Sequence, residues 1–130
     1  MKKILAILAV ATAPLGGGAA QAAQQWPVSI VGTWSATANL SVGQFTITSQ
    51  SGGATCNQIT GTIGSDTLLG FYCPGSGRFN FLRSNGGETY QVYSGNLSET
   101  VLGAPVMGGT FVDFVDSPMG EFSFFASPAN

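Results

Sequence analysis

Histidine is missing from this 130-residue chain, and its only lysines are Lys2 and Lys3. Beyond residue 22 neither side chain occurs, which removes the imidazole base, the Schiff-base amine, the P-loop lysine and the commonest zinc ligand. Charge of either sign is sparse, at 8% of residues, and there are only two cysteines. Those cysteines form no C-x-x-C, so a thioredoxin-like redox role has no motif behind it. The apolar run near the start is too short to span a bilayer, and no later run approaches the roughly 20 residues that a membrane-spanning helix needs. Helical periodicity is also nearly absent after residue 22. Glycine and aromatic side chains dominate what is left, with 19 Gly and 9 Phe.

The first 22 residues read as an export signal. Lys2 and Lys3 make a positive start, Ile4 to Pro14 an apolar run, and Ala20-Gln21-Ala22 an A-x-A cleavage site. Residues 23–29 are then expected to be an N-terminal arm and 30–130 a single domain in the periplasm or the medium of a bacterium. Cleavage removes both lysines and leaves Arg78 and Arg83 facing all six carboxylates. A chain so charged repels phosphates, which excludes nucleic acid and anionic lipid as expected partners.

Short alternating runs separated by turn residues predict an all-β fold. Strands are expected near Ile30–Thr37, Gln44–Ser49, Asn57–Ile63, Thr67–Cys73, Arg78–Arg83, Thr89–Asn96, Val106–Val115 and Glu121–Ala126. Short turns make sequential strands antiparallel neighbours. Closing the eight into an up-and-down meander barrel removes both open edges, and a sandwich is the alternative.

Two hairpins can be set in register. A Gly64-Ser65 turn pairs Ile63 with Asp66 and, counting outward, brings Cys56 opposite Cys73 in a non-hydrogen-bonded pair. That predicts a structural disulfide, in keeping with an oxidising compartment. An Asn85-Gly86 turn in the next hairpin would place Arg83 opposite Glu88, Phe81 opposite Tyr90 and Phe79 opposite Val92. One face would then be aromatic, with an exposed ion pair at its rim, while Gln91 and Tyr93 would lie on the other. Gly108-Gly109 within a strand signals a bulge, a bend or a close backbone approach.

Catalysis has little to work with. No base is present to activate a serine, and no cofactor motif occurs. Asp113, Asp116 and Glu121 cluster around the last connection, but without the regular spacing of a calcium loop, so no metal is expected. Aromatics remain as candidates for binding. Trp34, Phe79, Phe81 and Tyr90 are expected to line the barrel mouth and hold a small apolar or aromatic molecule. Phe125 and one of Leu68 and Leu69 must face outward, an apolar exposure that predicts contact with a protein partner or a second copy of the chain.

Several motifs resemble the avidin and streptavidin family. Gly32-Thr33-Trp34 is similar to its first-strand G-T-W, and lipocalins open with a comparable G-x-W. Gln44-Phe45-Thr46-Ile47-Thr48 follows as a second strand, and Ile59-Thr60-Gly61-Thr62-Ile63 resembles the third-strand L-T-G-T-Y. Leu69-Gly70-Phe71 is similar to L-G-W, and Tyr93-Ser94-Gly95 to W-S-G. The resemblance implies a closed eight-stranded barrel with a ligand in its mouth. It departs at the biotin-holding positions, where Ala36 replaces an asparagine and Ile63 a tyrosine. Periplasmic inhibitors of secreted metalloproteases are a second resemblance, sharing the small barrel, the single disulfide and the G-x-W. That likeness implies that Ala23-Gln24-Gln25-Trp26-Pro27 is a free arm presented to a protease. The reading is therefore a non-catalytic secreted binding protein, with a protein-interaction module as the alternative.

Overall fold

Side chains alternate across a strand, so a segment with one buried face reads apolar, polar, apolar. The computed structural model describes residues 26–38, 41–100, 102–116 and 118–130. The expected export signal, its cleavage site and residues 23–25 lie outside them. Alternation yields eight strands: β1 (Gly32–Ala38), β2 (Ser41–Ser51), β3 (Asn57–Ile63), β4 (Asp66–Cys73), β5 (Arg78–Asn85), β6 (Glu88–Glu99), β7 (Pro105–Asp113) and β8 (Gly120–Pro128). Each pairs antiparallel with its chain neighbour, and β1 also pairs with β8, so the sheet is a closed up-and-down barrel as expected. Phe114 and Val115, expected at the end of β7, instead belong to the connection that follows it.

The first hairpin has the expected register. Ile63 pairs with Asp66 and Asn57 with Tyr72, while Gly64 supplies the positive φ of the turn. One step further out, Cys56 and Cys73 are disulfide-bonded with Cα atoms 4.0 Å apart.

The second hairpin corrects the sequence reading. Its turn is Gly86-Gly87, both at positive φ, and Asn85 pairs with Glu88. A type I′ turn needs positive φ at both central residues, which two glycines supply without the strain that Asn85 would carry. A register shift follows between Arg83 and Ser84, leaving Tyr90 as the extra residue. Arg83 therefore pairs with Gln91, Phe81 with Tyr93 and Phe79 with Gly95. The expected Arg83–Glu88 ion pair is replaced by one between Arg83 and Asp66.

Inside, glycine and large side chains are matched across strands. Gly70 faces Phe81, Gly95 faces Phe79, and Gly109 faces Phe124. A Cβ at Gly70 would lie 2.0 Å from the Asn80 carbonyl oxygen and 2.6 Å from the Phe81 Cβ. The strand is pressed against its neighbour there, which leaves glycine as the residue that fits. Pairing runs unbroken through Gly108-Gly109, so of the three expectations for that pair the close approach holds, at Gly109.

One end of the barrel is sealed by the segment ahead of β1. Trp34 donates its indole N–H to the Ile30 carbonyl at 3.0 Å, and Tyr72 donates to the Pro27 carbonyl at 2.7 Å. Gln50 accepts from the Ile30 N–H at 3.0 Å and donates to the Val28 carbonyl at 2.8 Å. Ile30 is fully inside, and the Trp26 ring lies so close over Gly77 that a Cβ there would meet it at 2.9 Å. Trp26 and Pro27, expected in a free arm, are thus docked on the barrel.

Candidate functional site

The other end is open. It is the end that carries the β1–β2, β3–β4, β5–β6 and β7–β8 connections, and it holds a cavity of about 340 Å³. Its rings are Phe45, Tyr93, Phe111, Phe122 and Phe124, inward-facing residues of β2, β6, β7 and β8. Tyr93 stacks on Phe111 with centroids 4.9 Å apart, and Phe124 meets both edge-on. Ala36, Ala38 and Gly43 line the facing wall, and their small size leaves the space that larger side chains would fill.

Three of the four expected ligand residues lie beneath the cavity's rings, in the core. Phe81 is fully buried beneath Tyr93 and Phe45, at 4.7 and 5.6 Å between centroids. Phe79, also fully buried, packs edge-on against Phe124, and Trp34 stacks on Phe45 at 6.5 Å. They support the cavity's rings without lining it. Tyr90 is displaced by the bulge and lines a neighbouring notch with Asn85, Glu88, Val115 and Asp116. Sequence reasoning missed Tyr93, Gln91 and Phe111 as lining residues. The Gly86-Gly87 turn alone would bring Val92 opposite Phe81 and leave Gln91 and Tyr93 on the outer face; the bulge at Tyr90, which no residue in the sequence signals, turns both inward.

A chain of polar contacts borders the β4–β7 side of the mouth. Arg83 holds Asp66 through Nε at 2.7 Å and Nη2 at 2.6 Å. Asn85 donates to the other Asp66 oxygen at 2.8 Å, and the Tyr90 hydroxyl also donates to Asp66. Arg83 reaches on to the Gln91 carbonyl at 3.2 Å, which the Tyr93 hydroxyl also contacts at 2.8 Å. The Gln91 amide then donates to Asp113 at 2.6 Å. Asp113 completes its set by accepting from the backbone N–H groups of Val115 and Asp116 at 3.0 and 2.8 Å.

Both buried carboxylates are held below the usual range. For Asp66 the Tyr90 hydroxyl and then the Arg83 guanidinium outweigh burial. For Asp113 burial pushes upward, but the bonds from Gln91 and the Asp116 and Val115 amides together prevail. Tyr90 is pushed up to about 12 by burial and by its bond to ionised Asp66. Among the described residues no group of three acids or cysteines is placed to hold a metal ion. Asp113, moreover, spends one oxygen on the connection it caps and the other on Gln91.

Comparison with known proteins adds no constraint, because no family, characterised protein or solved structure matches the chain.

Proposed function

We propose that this is a secreted, non-catalytic binding protein that holds a small apolar or aromatic molecule in the open mouth of its barrel. The observation that carries the reading is the ring-lined cavity of about 340 Å³, within the ordinary range for small-molecule sites. Chemistry at the mouth is disfavoured. Glycoside cleavage needs one carboxylic acid kept protonated near neutral pH, whereas Asp113 is held ionised. Ala36 and Ile63 both line the cavity, so the positions at which the avidin resemblance departs present only apolar surface to a ligand. That favours an apolar body over biotin. The disulfide supports an oxidising compartment, consistent with export.

Native mass spectrometry of protein purified from a bacterial periplasm tests this directly. An excess mass lost on denaturation is expected, and Phe122→Ser should release it from a protein that still folds. A protein that carries no excess mass and binds no apolar probe would overturn the reading.

A second reading, self-association, rests on one outer-face feature. Register aligns Leu69, Leu82, Val92 and Val112 in a row across β4 to β7, beside Phe71. Leu69 and Phe71 remain 43% and 42% exposed. If that face joins two copies, Leu69→Glu should convert a sedimenting dimer to monomer, and a wild-type protein that sediments as a monomer would end the idea. Docking of Trp26 and Pro27 argues against the arm-presenting inhibitor.

A further inference from the structure

Asp113 is buried and ionised, yet Arg83–Asp66 is the one ion pair among the described residues. Ionised carboxylates are rarely sealed from water without a cation beside them. Arg83 does not serve, because its guanidinium is bound to Asp66 and reaches Asp113 only through the intervening Gln91 amide. Arg78 does not serve either. It sits at the opposite end of β5, exposed, next to the disulfide. No lysine or histidine occurs after residue 3. Asp116 adds a second carboxylate to the same cavity wall. Taken together, Asp66, Arg83, Asp113 and Asp116 leave the mouth with excess negative charge beside an apolar well.

Capping alone does not account for Asp113. Its bonds to the Val115 and Asp116 amides need only one carbonyl-like oxygen, which asparagine would supply. The second oxygen accepts from Gln91, and both residues line the cavity, so the charge lies in its wall.

We propose that the cup selects an organic cation, with an aromatic body in the well formed by Phe45, Phe111, Phe122 and Phe124 and an ammonium group beside Asp113 and Asp116. This rests on the mouth being a ligand site at all. An ammonium would supply the counter-charge that none of the described residues supplies, in a cavity whose apolar walls weaken screening. A carboxylate ligand would meet two like charges and be rejected.

Three molecules with one body separate the possibilities: naphthylethylamine, naphthylethanol and naphthylpropionate. Each is titrated into the disulfide-bonded protein at neutral pH while backbone amide NMR signals are followed. The ammonium should shift residues around the mouth and bind about tenfold or more tightly than the alcohol, with the carboxylate weakest. Asp116→Asn, whose side chain is exposed, should cut that preference several-fold, and Asp113→Asn should cut it further if it folds. Arg78→Gln, far from the cup, should leave it unchanged. If the alcohol or the carboxylate binds as well as the ammonium, the cation inference fails while the cup stands. If none of the three perturbs the mouth, both readings fall. A preference that survives Asp116→Asn undiminished would also overturn the assignment.

Discussion

Asp66 and Asp113 are both nearly sealed from solvent, and each stays ionised through specific donors. Both pKa values lie below their unfolded ones, near 4. Their contribution to stability is therefore complete above about pH 4 and is lost as pH falls through the depressed values. Urea midpoints should stay level from pH 7 to about pH 5 and drop below about pH 4. Asp113→Asn should lower the neutral midpoint and flatten the acid fall, and an unchanged acid limb in that variant would show that other groups control it. Glycine makes the second residue-scale argument. Gly70 is the place where β4 and β5 press together under Phe81, with no room for a Cβ. Gly70→Ala should cost about 1–3 kcal/mol, the usual range for overpacking, seen as a lower urea midpoint with an unchanged slope. The sequence signal for this matching was weak. Leu69-Gly70-Phe71 shows the glycine, but its ring partner Phe81 is known only once β5 is registered.

At the scale of elements, legibility followed turn chemistry. Gly64-Ser65 admits one tight turn, so the β3–β4 register and the Cys56–Cys73 bond could be counted out from it. Asn85-Gly86-Gly87 admits two turns, and the wrong choice combined with an unseen bulge exchanged Tyr90 for Tyr93 on the core face. Moving the turn by one residue shifts the pairing by two and leaves the faces as they were, so it is the single extra residue of the bulge that reverses the strand and decides which aromatics line the cup. The closed end was not legible, because the contacts that seal it join Gln50 and Tyr72 to backbone far away in sequence. Burial pushes the Tyr72 hydroxyl up to about 12. A raised pKa means stability that is intact below about pH 10 and lost as pH rises through about 12. Tyr72→Phe should cost on the order of 1 kcal/mol at neutral pH and reduce the alkaline loss. Equal alkaline sensitivity in the variant would place the effect at another group, Tyr90 first.

For the whole molecule, closure separates one seam from the rest. Every other strand pair joins chain neighbours across a short connection, whereas β1 and β8 lie at opposite ends of the barrel sequence. Their pairing runs only from Trp34–Pro128 to Ala38–Phe124. Bringing distant segments together costs chain entropy before any contact offsets it, so local hairpins are favoured early and the seam late. Eight alternating strands made closure legible in the sequence, since it was the way to leave no open edge, but its extent was not. Phe124 is buried on the seam and touches Phe79 and Tyr93, so Phe124→Leu should destabilise by on the order of 1 kcal/mol. That loss should appear almost wholly as faster unfolding, with the folding rate barely changed. Ile59→Val, inside the β3–β4 hairpin, should instead slow folding measurably. Stopped-flow tryptophan fluorescence across a urea series gives both rates. Equal slowing of folding by the two substitutions would mean that the seam is already formed in the transition state, and the order argued from chain entropy would be wrong.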